Sequence, residues 1–329
     1  MKLIKKKKED VSVFDKKEIA TYGMELILTQ KCNLNCAHCM RGDATNKEIS
    51  PEVLDKIFSK FIYIHALTLG GGEISLTPHL IRLLTQKLKQ HGTIVHRIDL
   101  TSNGVFVSDE FLSAINELRE YVLSCKNSLS LIELDERDNN EPVIACFSFD
   151  GFHLKNISDK GVTIEEIFNN IARYQEILGE RAIECRLSSD VDIINIGRAK
   201  TLNTLIKKVK PINPNKYIYP YEIEPNFIFM GGFLTVSCDG EFIPVNIPFA
   251  EEKIYSYGNI FSDKFSNIAS RMNTQKVQNN IEFDRLNMKN LEMMISPDYR
   301  WKKYLKSSGN KKFAYFNYLL KQKAQEKQQ

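Results

Sequence analysis

The sequence predicts an α/β fold in which a parallel sheet is covered by helices. Three observations carry this: strand-length apolar runs recur between residues 24 and 188, segments of helical pattern separate them, and glycine-containing turns close the second and third. In order, MELILT at 24–29 reads as a short strand that runs straight into a group of cysteines. Ser50 and Pro51 supply an N-cap and a first helical position for SPEVLDKIFSKF, and IYIHALTL at 62–69 follows as a buried strand. A glycine-rich turn at 70–73, a helix over 78–90 and the strand IVHRIDL at 94–100 repeat the unit. TSNG then leads to a helix over 108–124, a polar loop near 126–141, a strand at 143–149, a helix over 163–178 and a strand at 182–188.

Beyond residue 200 the rhythm changes. Pro211, Pro214, Pro220 and Pro225 punctuate a tyrosine-rich connector, and FLTVSCDGEFIPV reads as a hairpin turning at Asp239 and Gly240. The pattern from Asp263 onward is helical and basic, and KQKAQEKQQ ends it as a polar tail. The segments are thus a basic extension at 1–21, the α/β region at 22–210, a connector and hairpin at 211–262 and a helical extension at 263–329.

Composition narrows the function. With 43% hydrophobic residues in 329, the chain can bury a large core. Its 45 lysines and arginines stand against 41 acidic residues, and a net +4 spread over this length argues against nucleic-acid binding. The lysine-rich start has no apolar stretch and no small-residue cleavage site behind it, and no run reaches a membrane span, so the expected location is the cytoplasm, with no membrane association. Seven cysteines, three crowded and four scattered, suit metal binding in a reducing compartment better than a disulfide framework.

The crowded three are the main chemical signal. CNLNCAHC places Cys32, Cys36 and Cys39 in a CxxxCxxC spacing that lets one tight loop turn three thiolates toward a common centre, as an iron-sulfur cubane needs. Three ligands leave one iron of a 4Fe-4S cluster open, and an open position marks reactivity. The rival is a tetrahedral zinc completed by His38, whose adjacency to Cys39 makes it an awkward fourth ligand.

These residues resemble the radical S-adenosylmethionine (SAM) superfamily, whose CxxxCxxC signature follows the first strand of a partial barrel. The resemblance covers about residues 22–260 and implies a partial (β/α)6 TIM-like barrel with a C-terminal hairpin and helical extension. It also implies a 4Fe-4S cluster on Cys32, Cys36 and Cys39, SAM chelating the open iron, reductive cleavage to a deoxyadenosyl radical, and hydrogen abstraction from a substrate. Gly70 to Glu73 match the family's GGE motif, so Gly71 and Gly72 are expected to let the backbone approach the methionine amino group and Glu73 to help orient it. Asn103 in SNG is expected near the methionine or ribose end. In FSFDGFH, Cys146, Ser148 and Asp150 alternate on one strand face, and Ser148 and Asp150 match the fourth-strand SxDGxH pattern. Arg186 is placed to meet the cofactor carboxylate, His38 to lie beside adenine, and Gly197-Arg198-Ala199 is a triplet familiar from members with C-terminal cluster domains.

LTVSCDGEFIPVNIPFAEEKIYSYGNIFSD resembles the start of the cysteine-rich (SPASM or twitch) extension of peptide-modifying members, but Pro244, Val245 and Asn246 stand where a second cysteine is expected. No auxiliary cluster is therefore expected. Cys125, Cys146 and Cys185 read as buried small hydrophobes, and Cys238 as either a remnant of that extension or a hydrogen donor to a substrate radical. The resemblance implies a peptide, specifically a ribosomally made one, or a small-molecule substrate, and an external one-electron reductant such as flavodoxin or ferredoxin. A radical-installing activase and a non-catalytic iron-sulfur or zinc protein are the alternatives.

Overall fold

The computed structural model of the chain describes residues 11–128, 141–186, 192–202, 207–209, 217–223 and 226–276. Five strands run parallel and in sequence order, β1 (Glu18–Thr29), β2 (Phe61–Gly71), β3 (Ile94–Ser102), β4 (Val143–Ser148) and β5 (Ile183–Arg186). Between them lie α2 (Pro51–Lys60), α3 (Pro78–His91), α4 (Asp109–Ser128), α5 (Gly151–Asp159) and α6 (Ile164–Leu178), after a single opening turn, α1 (Val13–Lys16). This is the open α/β barrel arc expected from the sequence.

The sixth parallel strand does not follow β5. Phe227–Val236 forms β9, which pairs with β1 on the opposite side, so the arc runs β9-β1-β2-β3-β4-β5. Asp192–Ile194 (β6) and Lys207–Val209 (β7) make a separate two-stranded parallel sheet. The expected hairpin is present, with Glu241–Ile243 (β10) turning back on β9 through Gly240, whose φ of +81° suits the turn. Gly258–Asn259 (β11) extends it, and Tyr219–Ile223 (β8) pairs with the first half of β9 on the edge away from β1, and with Thr274–Lys276 (β12). Phe265–Arg271 is the helix α7; Trp301 and the 313–320 segment lie outside the described residues.

Local chemistry explains the boundaries. The Ser50 hydroxyl accepts from Val53 N–H at 3.4 Å with Pro51 at the first turn of α2, and α3 stops at Gly92 in the left-handed region. Thr163 and Glu166 form a reciprocal capping box on α6.

Strand alternation splits the sheet into two chemistries. Met24 and Leu26, Leu67 and Leu69, Ile98 and Leu100, and Val143, Ala145 and Phe147 stand in register on one face and join the helices in the main core. The opposite face carries Thr235, Glu25, Thr68, Asp99, Thr101, Cys146 and Glu184 in register. An apolar outside and a polar inside is what an α/β barrel with a ligand cavity requires. Cys185 departs from expectation: it is exposed, because β5 is the edge of the sheet among the described residues. Cys125 is buried, and so is Cys146, whose thiol donates to Glu184 Oε2 at 3.4 Å.

Candidate active site

All the parallel strands end at one rim, and the cysteine loop leaves β1 there. Gln30 N–H donates to Lys47 C=O at 2.9 Å, Thr45 N–H to Gln30 C=O at 3.1 Å and Ile49 N–H to Leu28 C=O at 2.8 Å, so residues 31–46 close as a loop on the end of β1. Inside it Cys39 N–H donates to Cys36 C=O at 3.1 Å, and Leu34 N–H donates to Cys32 Sγ at 3.4 Å. Cys32, Cys36 and Cys39 are all free thiols. Burial pushes the Cys32 thiol up to about 11 and the Cys36 thiol up to about 12, and the neighbouring thiols push in the same direction. Cys36 is buried and Cys32 partly so, and thiols that resist ionisation alone are ones that a metal cation would ionise and hold.

Glycine is required where the second strand meets this loop. A β-carbon on Gly71, whose φ is +126°, would lie 2.1 Å from Thr29 C=O, and one on Gly72 would lie 2.0 Å from Lys31 C=O. In that close approach Gly72 N–H donates to Thr29 C=O at 2.8 Å and Glu73 N–H to Lys31 C=O at 2.7 Å. The glycines thus shape the cysteine loop itself, whatever they offer a cofactor.

Glu73 is buried, and burial raises its carboxyl above the usual range against the pull of its hydrogen bonds. Its Oε1 accepts from Ser75 N–H at 3.1 Å and Ser102 Oγ at 2.9 Å, and its Oε2 from Asn103 N–H at 2.7 Å. This carboxylate staples the end of β2 to the end of β3. Asn103 continues the chain, donating from Nδ2 to Asn33 Oδ1 at 2.8 Å and accepting from Val105 N–H at 3.0 Å.

At β4 the strand stops at Ser148, which is half-buried, and Asp150 turns out to be the N-cap of α5, a helix that the sequence reading missed. Asp150 Oδ1 accepts from Phe152 N–H at 2.9 Å and His153 N–H at 3.0 Å, while Oδ2 meets His153 Nδ1 and, at 3.1 Å, His38 Nε2. Burial alone would raise this carboxyl; the two histidines outweigh it and hold it well below the usual range. His38 stacks on Phe152 at 4.8 Å between ring centres, and its Nδ1 is buried without a partner among the described residues. Asn156 of α5 accepts from Asn35 N–H at 3.1 Å, so α5 grips the cysteine loop twice. Placing Asp150 on the strand face hid this; Asp followed by an apolar-spaced FHLKNI was the available signal.

Three further holds on the loop went unrecognised. Gly197, at φ +54°, lies so close that a β-carbon would sit 2.4 Å from Cys39 C=O, and Arg198 donates from its backbone N–H to Cys39 C=O at 3.0 Å and from Nε to Cys36 C=O at 2.9 Å. Arg41 pairs with Glu25 and donates to Ile247 C=O at 3.1 Å. Gln30 donates to the buried Glu252 at 3.3 Å. Cys238 lies apart from the other cysteines' loop contacts, packed with Ile27, Ile243 and Ile247, its thiol donating to Ile27 C=O at 3.1 Å; burial raises its ionisation far above the usual thiol range. Arg186 closes β5 opposite Ser148, and its side chain lies outside the described residues.

Residues 26–183, just under half the chain, match the family model described as the Radical SAM superfamily. That stretch runs from β1 to the start of β5 and contains the cysteine loop, so this part of the chain is similar to a radical SAM domain. Among solved structures the chain is similar to native anSMEcpe with bound AdoMet and the Cp18Cys peptide, at 12% identity over 76% of this chain and 80% of that one, with a TM-score of 0.44. It is also similar to SuiB of Streptococcus suis bound to its precursor peptide SuiA, at 8% identity over 77% of this chain and 65% of that one, with a TM-score of 0.35. No curated protein matches the sequence.

Proposed function

We propose that this chain reductively cleaves SAM at a 4Fe-4S cluster held by Cys32, Cys36 and Cys39, and uses the radical so formed on a peptide substrate. The observation that carries the reading is that three free thiols at CxxxCxxC spacing share one loop at the strand-end rim, close enough to influence one another's ionisation, within the stretch that matches the radical SAM family. A 4Fe-4S cluster would be held there by Cys32, Cys36 and Cys39, and with SAM it would supply one-electron reductive cleavage and the radical chemistry that follows.

The chain's own residues have separable tasks. Gly72, Glu73, Arg198 and Asn156 hold the thiol loop in shape, which limits how far the ligands must reorganise on metal binding. Ser148 and Arg186 end β4 and β5, Asn103 directly follows β3, and these three are assigned to the cofactor, with the backbone at Gly71 and Gly72. The polar inner face from Glu25 to Glu184 is assigned to substrate. A zinc completed by His38 is disfavoured because His38 turns its Nε2 to Asp150. The peptide assignment rests on the hairpin sequence, the electron on a flavodoxin- or ferredoxin-type donor. Among the described residues no helix is long and apolar enough to cross a membrane.

Anaerobic reconstitution tests the reading. Four irons and four sulfides per chain, an electron paramagnetic resonance signal altered by SAM, and deoxyadenosine formation that each of Cys32→Ala, Cys36→Ala and Cys39→Ala abolishes are expected. One tightly bound zinc, or full cleavage by any of the three variants, would overturn it.

A further inference from the structure

The cluster His38, Asp150 and His153 is not needed for the cluster ligation proposed above, and it has the composition of a metal site in its own right. It draws on two elements: His38 belongs to the cysteine loop, Asp150 caps α5 and His153 lies in that helix's first turn. His38 Nε2, His153 Nδ1 and an Asp150 oxygen all lie within 4.8 Å of one another.

We propose that these three side chains bind one divalent first-row transition metal ion, a 2-His-1-carboxylate site beside the cysteine loop. Donor chemistry supports it. Two imidazoles and a carboxylate suit zinc, iron(II) or cobalt(II), whereas calcium and magnesium favour all-oxygen shells. Bond lengths of about 2.0–2.2 Å place neighbouring ligand atoms about 3 Å apart, and His38 Nε2 already stands 3.1 Å from Asp150 Oδ2.

Orientation supports it as well. Asp150 Oδ1 is committed to two backbone N–H groups, so Oδ2 is presented as a single, fixed ligand atom. The two imidazole planes meet at 83° with centres 4.9 Å apart, and both direct a nitrogen at that one oxygen. Phe152 stacks on His38 and sets its plane. Both imidazoles direct a nitrogen at the same carboxylate oxygen, so a cation among them would be met by a donor atom of each of the three groups. Three protein ligands leave open positions, as in metal sites that exchange ligands. Since Asn156 already ties α5 to Asn35, a metal here would lock a pre-formed contact between α5 and the loop.

Cobalt(II) is the probe. Full-chain protein carrying its assembled cluster, freed of adventitious metal and titrated anaerobically, is expected to take up one cobalt(II) per chain, with visible ligand-field bands, no thiolate charge-transfer band, and displacement by zinc(II). His153→Gln, which leaves the Asp150 cap intact, should weaken this uptake by more than the roughly 10- to 100-fold that loss of an outer partner costs, with cluster iron unchanged. His79→Gln, on an exposed histidine elsewhere, should bind as wild type. The Cys32→Ser/Cys36→Ser/Cys39→Ser variant should retain the cobalt site, so failure of the cluster reading and failure of this one are separable. Uptake marked by a thiolate band, no uptake beyond the cluster, or unchanged affinity in His153→Gln would each overturn the proposal.

Discussion

Glu252→Gln is the sharpest test of how the C-terminal turn is joined to the cysteine loop. Glu252 is only 3% exposed, and burial pushes its carboxyl from 4.5 up to about 7, although Arg41, Lys47 and the Gln30 hydrogen bond pull the other way. The sign follows from linkage. Between pH 4.5 and 7 the folded chain keeps a proton that the unfolded chain has lost, so this group's contribution is fully present below 4.5 and is lost as pH rises through 7. The difference of 2.5 between the two values sets a ceiling of about 3 kcal/mol, and solvent screening at the rim brings the expected figure to about 1–2 kcal/mol. Glutamine keeps an oxygen for Gln30 and removes the titration. Urea unfolding of reduced, metal-free chain should therefore show no variant advantage near pH 4.5 and a growing one by pH 8. A stability difference that stays flat across that range would refute the buried, titrating carboxylate.

Two further substitutions separate the loop's architecture from its chemistry. Gly72→Val forces a side chain against Lys31 C=O, at 2.0 Å from the β-carbon position. It should cost about 1–3 kcal/mol and lower cluster iron and SAM affinity together, read by iron analysis and thermal unfolding; normal iron with weakened SAM binding alone would show that the glycine serves only the cofactor. Cys238→Ala should keep wild-type iron and deoxyadenosine formation while losing one buried hydrogen bond worth about 1 kcal/mol, and product analysis then tells whether this thiol is needed after cleavage.

Much of the arc was legible because its periodicities are strong: apolar strands, amphipathic helices, Ser50-Pro51 and Thr163 at helix starts, Asp239-Gly240 at the hairpin. What escaped depends on tertiary partners. EIATYG at 18–23 has little strand signal alone, yet it is held between β2 and β9. The arrival of β9 beside β1 cannot be read from any local pattern, since it is set by a pairing more than 200 residues away in sequence. Asp150 was recognised as functional but placed on a strand, because Asp-Gly signals a turn and an N-cap equally well. The cysteines themselves were legible from spacing, whereas Asn156 and Glu252, which help to position them, carry no signature outside the folded chain, and Arg198 was legible as part of a familiar triplet but not as a partner of the loop.

The hairpin extension shows how a segment lacking its expected second cysteine is still bound into the site. At Pro244–Asn246 there is no thiol; Asn246 instead adopts a positive φ of 63°, and the chain turns toward the cysteine loop. Phe249 N–H then donates to Arg41 C=O at 2.9 Å, Ile247 C=O accepts from the Arg41 guanidinium, and Glu252 accepts from Gln30. Arg41 and Gln30 flank the CxxxCxxC segment on either side, so the extension clasps both ends of the loop with main-chain and carboxylate hydrogen bonds. Because Arg41 also pairs with Glu25 on the polar inner face, the clasp reaches the strand layer assigned to substrate. Contacts of this kind tie the extension to the loop at Gln30 and Arg41, on the two sides of the three cysteines.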